Sequence, residues 1–191
     1  MVQDILLIVA AYAAGSLSSA IIISKLLALP DPRSQGSGNP GATNMLRIGG
    51  KKAAAFTLLG DFFKGVLPVL LARTLGTGFE IQLLVALAAF LGHLYPLFFG
   101  FKGGKGIATA LGVFIALSPK VALACLIIWL GVYRWKKVSS LAGLSATGAA
   151  PLIAWLLTHS AAFTLFASVL ALLIFWRHRN NLRNLFAGTE H

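Results

Sequence analysis

An all-α, polytopic membrane bundle of about seven transmembrane helices is the fold class this sequence predicts, and three observations carry that prediction. Hydrophobic residues make up 58% of the 191 positions and charged residues only 11%, with a mean hydropathy of +0.84. The apolar residues come in long runs, whereas the basic residues collect in the short stretches between them. No connecting stretch is long enough for a soluble domain, so residues 1–191 read as a single membrane-embedded domain.

Crossing a bilayer takes roughly 20 apolar residues in a helix. The runs that qualify, or come close, are 5–29, 53–75, 80–99, 107–117, 121–133, 141–158 and 161–176. The first lacks a basic leading segment, carrying Gln3 and Asp4 instead, and reads as a helix that stays rather than a cleaved signal. The fourth and fifth are short and meet at Ser118-Pro119. Proline biases its predecessor away from helix, and Lys120 beside it suits a membrane surface, so two spans are preferred there. A five-span division is the alternative. With seven spans, one side of the membrane receives Arg33, Arg47, Lys51, Lys52, Lys102, Lys105, Arg134, Lys136, Lys137, Arg177, Arg179 and Arg183, and the other only Arg73 and Lys120. The positive-inside rule then places the N-terminus outside and the C-terminus in the cytoplasm, with any chemistry at the cytoplasmic interface.

The net charge of +11 does not point to nucleic acid, because the basic residues lie between apolar spans rather than on one soluble face. Anionic headgroups and phosphorylated substrates fit it better. Five carboxylates (Asp4, Asp31, Asp61, Glu80 and Glu190) are too few and too scattered for a metal cage, so no metal and no cofactor is expected. Cys125 is the sole cysteine, which excludes an internal disulfide.

Three polar clusters fall on the basic side. Residues 33–47, RSQGSGNPGATNMLR, form a glycine-rich run with an arginine at each end. Such a loop exposes backbone N–H groups, which in tight turns make concave anion sites, and arginine adds a fork that matches phosphate oxygens. Its Gly36-Ser-Gly38-Asn-Pro-Gly41 matches the dinucleotide fingerprint only formally, since a membrane helix and not a strand precedes it. Ser37, Gly38, Asn39, Gly41, Thr43, Asn44 and Arg47 remain as candidate groups; an ordinary turn is the plainer reading. The second cluster is Lys102, Gly103, Gly104, Lys105 and Gly106, opening the fourth span, where a helix N-terminus favours anions. Surface anchoring explains its lysines but not its glycines. The third runs from Arg177 through His178 and Asn181 to Glu190. His178 and Asn181 are three apart and share a face if the seventh helix continues, and histidine can carry a proton at neutral pH. Ser139 and Ser140 open the sixth span on the same side, with helix capping as their plainer role. Asp61 and Lys64, spaced i, i+3 inside the second span, read as an ion pair within the helix, with lining of the polar site as the alternative. Glu190 is expected to pair with a basic group. His93 and Tyr95 are not taken as catalysts.

At these clusters the sequence closely resembles the bacterial acyl-phosphate:glycerol-3-phosphate acyltransferases, the PlsY family. The matching pieces are SGNPGATNMLR at 37–47, KGGKGIAT at 102–109, and His178 with Asn181 followed by GTE at 188–190; Gly15-Ser16 and GDFFKG at 60–65 fit as well. The likeness runs from end to end. Members often carry a basic residue where Asn184 stands.

The resemblance implies acyl transfer from acyl phosphate to the 1-hydroxyl of sn-glycerol 3-phosphate, giving 1-acyl-sn-glycerol 3-phosphate (lysophosphatidate) and inorganic phosphate, the first step of bacterial phospholipid synthesis. It implies an enzyme of the bacterial inner membrane with its site on the cytoplasmic face, and a separate enzyme that supplies the acyl phosphate. By motif position it implies Ser37, Thr43, Asn44, Arg47, Lys102, Lys105, His178 and Asn181 as site residues. The residues accord with that chemistry. A mixed anhydride has a good leaving group, so activating the acceptor and stabilising charge suffice without an acyl-enzyme. An H-x-x-x-x-D acyltransferase motif is absent, since His93 is followed five later by Phe98 and His159 by Thr164. The alternative class is an organic-phosphate transporter gripping its anion with glycine-broken helix ends. Against it stand site groups at one interface and the lack of an inverted repeat.

Overall fold

The computed structural model describes residues 1–190. All regular structure among them is helical: α1 (Val2–Gly15), α2 (Ser19–Leu26), α3 (Ala42–Thr74), α4 (Phe79–Leu94), a 3-10 turn (Leu97–Phe99), α5 (Ile107–Leu117), α6 (Pro119–Lys136), α7 (Ser139–Thr158), α8 (Ala161–Arg177) and α9 (Arg179–Phe186). Three helical stretches are long and apolar enough to cross a membrane, Ala42–Thr74, Phe79–Phe99 and Ser139–Thr158. Two bent pairs, α1 with α2 and α8 with α9, raise that to five if each is one span, and Ile107–Leu117 is apolar but shorter.

The chain forms two compact units, Met1–Leu117 and one beginning at Ser118. In the first, α1 packs on α4 and α3 on α5, with α2 against α3. These contacts are close because glycine permits them: a Cβ on Gly15 would stand 2.1 Å from the carbonyl oxygen of Ala89, and one on Gly112 would stand 2.2 Å from that of Phe62. Backbone-to-backbone packing of this kind replaces the hydrophobic drive that helices lack in lipid. The buried side of this unit includes Phe90, Leu94, Phe114, Val69 and Met45, while Leu6, Leu67, Leu71 and Phe63 face outward, as lipid-facing residues do. In the second unit α7 packs on both α6 and α8, around Phe163, Leu170 and Ile174.

Three expectations about the elements change. The run 5–29 is not one straight helix: α1 and α2 are bent by 45° where Ser16 Oγ turns back to the Tyr12 carbonyl at 2.8 Å. The polar stretch 33–47 is not wholly a loop, because α3 already begins at Ala42, with its backbone leaving helical geometry at Gly50. The helix carrying His178 does not continue straight either; α8 and α9 are bent by 65°, with His178 at the junction.

Candidate functional site

In the first unit, the loop before α3 is organised from inside by one buried amide. Asn44 is 1% exposed. Its Oδ1 accepts the backbone N–H of Ser37 at 2.9 Å, and its Nδ2 donates to the carbonyls of Pro32 at 2.9 Å and Gln35 at 3.0 Å. Gly36 has φ +58°, and a Cβ there would lie 2.2 Å from Asn44 Oδ1, so both its conformation and its space call for glycine. Asn44 is therefore the pin of the loop. Ser37 and Gly38 lie exposed on the outside of the turn it fixes. Gly41 is the N-cap position of α3, and a Cβ on it would meet the Asn39 amide at 2.8 Å. Thr43 and Arg47, four apart on the first turns of α3, are both exposed.

A second clasp steadies the same loop. Asp31 pairs with Arg33 at 2.7 Å, and Arg33 Nη1 donates to the Phe99 carbonyl at 3.1 Å, just ahead of the second cluster. The guanidinium, bonded to the carboxylate, holds the Asp31 carboxyl below the usual carboxylate range. Between Lys102 and Lys105 the backbone is buried at Gly103 and Gly104, while Lys102 is exposed and Lys105 half-buried. A Cβ on Gly104 would stand 3.3 Å from the Pro40 carbonyl oxygen. The first two clusters of the sequence thus meet at this point. The structure brings together Ser37, Asn39, Gly41, Thr43 and Arg47 on one loop and helix start, with Lys102 to Gly106 beside them. Two helix N-termini, those of α3 and α5, open here, and N-terminal N–H groups favour anions.

Beneath these loops lies a charge cluster that sequence spacing showed only in part. Asp61 and Lys64 pair at 2.9 Å, both buried. Lys64 Nζ also donates to the Leu17 carbonyl at 2.9 Å, satisfying an acceptor that the break between α1 and α2 leaves open. His93 Nδ1 lies 3.5 Å from Asp61 Oδ1. The pairing within α3 was legible as i, i+3; the approach of α4's His93 from a distance in sequence was not.

In the second unit the third cluster closes on itself. Glu190 Oε1 accepts from Ser140 Oγ at 2.6 Å and from Asn181 Nδ2 at 2.5 Å, and Oε2 accepts from Asn184 Nδ2 at 3.2 Å. Neutral amides and a hydroxyl bind this carboxylate. Asn184 supplies one of them, which shows how an uncharged residue serves at that position. The plainer capping role of Ser139 and Ser140 is not seen: Val138, not a serine, stands at the N-cap position of α7, with no side-chain cap bond. His178 is 2% exposed, and its Nδ1 lies 2.8 Å from the Ile174 carbonyl. A carbonyl can only accept, so Nδ1 carries the proton and Nε2 is the basic nitrogen of the neutral ring. No group of three or more metal-ligating side chains occurs among the described residues. An apolar cavity of about 220 Å³ between α1 and α3, walled by Leu7, Ala11, Leu67 and Leu71, offers no site for an anion.

Comparison with known proteins then gives a consistent picture. The family model described as Glycerol-3-phosphate acyltransferase matches residues 5–188. The glycerol-3-phosphate acyltransferase of Methylobacillus flagellatus is 52% identical over 183 residues, covering 96% of this chain and 93% of its own. That of Pseudomonas putida is 54% identical over 186 residues, covering 97% of both. Crystal structures of PlsY (YgiH), an integral membrane glycerol 3-phosphate acyltransferase, are similar throughout. The glycerol 3-phosphate form has a TM-score of 0.94 at 43% identity and the lysophosphatidic acid form 0.91 at 42%; each comparison covers 99% of this chain and 94% of the other.

Proposed function

The chain belongs to the glycerol-3-phosphate acyltransferase family, and from that premise we propose that this integral membrane protein transfers an acyl group from acyl phosphate to the 1-hydroxyl of sn-glycerol 3-phosphate. The observation that carries this reading is the meeting of two cationic, glycine-bearing loops at Pro40 and Gly104 in a chain otherwise built of apolar helices. Both substrates and one product carry phosphate, and the acyl chain needs an apolar surrounding.

In the reaction the hydroxyl oxygen of the acceptor bonds to the acyl carbon. The bond from that carbon to the phosphate oxygen breaks, and inorganic phosphate leaves. Arg47, Lys102 and Lys105, with Ser37, Thr43 and the N–H groups around Gly38, Asn39, Gly41, Gly103, Gly104 and Gly106, bind phosphate oxygens and stabilise the oxyanion. Asn44 acts through them by fixing the loop. His178 takes the hydroxyl proton at Nε2, or leaves that to the acceptor's own phosphate, and Asn181 orients the acceptor. Ser139 binds phosphate, while Ser140, placed there by sequence as a phosphate ligand, gives its hydroxyl proton to Glu190, which holds it and Asn181 in place. The transfer is direct, without an acyl-enzyme and without cofactor or metal. Acyl phosphate comes from a separate enzyme. The match to one family across residues 5–188 supports a single acyltransferase domain. The basic residues support seven spans, N-terminus outside, with the site on the cytoplasmic face; the membrane is read as the bacterial inner membrane from the family alone.

The test is lysophosphatidate and phosphate formation by purified protein in lipid, given palmitoyl phosphate and glycerol 3-phosphate, with palmitoyl-CoA or no acceptor in parallel. Both products appearing only when palmitoyl phosphate and acceptor are present support the reading. Equal use of palmitoyl-CoA overturns the donor assignment. Uptake of unchanged glycerol 3-phosphate into vesicles, without product, would make the protein a transporter.

A further inference from the structure

The buried cluster under the loops has a chemical asymmetry that the reaction above does not use. His93 stands in the last turn of α4, 6% exposed. One edge of its ring faces charge: Nδ1 is 3.5 Å from Asp61 Oδ1, and Asp61 is held in turn by Lys64 at 2.9 Å and, through its backbone carbonyl, by Thr109 Oγ1 at 2.9 Å. The other edge faces the lysine loop. A Cβ on Gly104 would lie 2.3 Å from His93 Nε2 and 2.7 Å from Cε1, so the ring is packed directly under the Gly104 backbone. The backbone of His93 serves the same loop. Its carbonyl accepts the Gly104 N–H at 3.2 Å, and a Cβ on Gly103 would stand 2.1 Å from that oxygen.

Resting on the reading of residues 102–106 as a phosphate-binding loop, we infer that His93 is its positioning residue: anchored to the buried Asp61 on one edge, its ring sets where the Gly103-Gly104 backbone runs between Lys102 and Lys105. The physical reason is rigidity. A glycine loop has no side chains of its own to fix its path, and its entropy must be restrained from outside for two ammonium groups to converge on one phosphate. A ring is stiff, and one buried between the Asp61 carboxylate and the Gly104 backbone cannot tilt without disturbing one of them. Lys64 does not substitute, because its ammonium is directed to the Leu17 carbonyl and to Asp61. His93 touches no reacting atom in this scheme; it acts through the loop.

The experiment is a double-mutant cycle in the purified full-length protein, following lysophosphatidate formation and inhibition by inorganic phosphate. Gly104→Ala forces a methyl against the ring. It is expected to raise the KM for a phosphate substrate and the inhibition constant of inorganic phosphate by about ten-fold or more, with kcat changed by less than about three-fold. The KM that moves, that for glycerol 3-phosphate or for palmitoyl phosphate, identifies which phosphate the loop holds. His93→Ala makes room for the methyl, so in that background Gly104→Ala should add less than about two-fold. His93→Ala by itself should weaken phosphate binding, and His93→Gln, which keeps a polar group of similar reach, should weaken it less. Equal effects of Gly104→Ala in both backgrounds overturn the inference. Should His93→Ala fail to fold, Gly104→Ala alone decides: an unchanged KM and inhibition constant overturn it. Lys105→Gln separates this from the reading beneath it. If that variant leaves phosphate binding unchanged, the loop is not a phosphate site at all; if it weakens binding while the cycle shows no coupling, only the role of His93 is lost.

Discussion

Asn44 and Glu190 perform the same task in different surroundings. Each is a hub that gathers a polar segment: Asn44 joins Ser37, Pro32 and Gln35 in the first unit, and Glu190 joins Ser140, Asn181 and Asn184 in the second. Asn44 is neutral and 1% exposed, on the first turn of a long helix, and it holds backbone groups. Glu190 is charged and half-buried, on the segment after the last helix, and it holds side chains. A buried hub loses its partners' hydrogen bonds outright when removed, whereas water replaces those of an accessible one. The two regions therefore teach that similar bonding can have unequal energetic consequences.

Substitutions can sharpen that comparison, beginning where a buried charge would be left unpaired. Lys64→Met strands the Asp61 carboxylate and is expected to cost about 3–5 kcal/mol, read as loss of folded protein in thermal unfolding. Adding Asp61→Asn should restore a large part, since the pair then leaves no uncompensated charge. Asn44→Ala is next, at about 2 kcal/mol from unpaired backbone groups. Activity should fall with it, and Asn44→Asp should not restore it, because a carboxylate cannot donate to Pro32 and Gln35. Glu190→Gln should cost about 1 kcal/mol or less in global stability, with proteolysis at the C-terminal end as its most sensitive readout. A loss as large as that of Asn44→Ala would erase the distinction between the two hubs.

The smallest expected effect is at Asp31. Arg33 lowers its pKa in the folded protein, so the pairing stabilises above the ordinary carboxylate pKa and is lost as pH falls through the lowered value. Between about pH 6 and 9 stability should not change on this account, and Asp31→Asn should cost under about 1 kcal/mol. Thermal unfolding across that range checks both.

Much was legible in the chain itself. Hydropathy and the lack of soluble-length loops determined an all-helical membrane protein, because lipid admits only helices and closed barrels and long unbroken apolar runs fit the helix. The glycine-rich 33–47 and 102–106 stretches stood out as anion sites by composition, and Asp61 with Lys64 as a pair by helical spacing. What spacing could not supply were the long-range meetings. His93 reaches Asp61 from α4, Pro40 reaches Gly104 from another loop, and Lys64 reaches a carbonyl opened by a helix break. The inward turn of Asn44 was equally hidden: its residue type suits a ligand contact and a loop pin alike. Local sequence determines which groups are available and on which face of a helix they stand. Only tertiary packing decides which of them is buried, and burial turns a polar side chain from a contact for substrate into a support for those that make one.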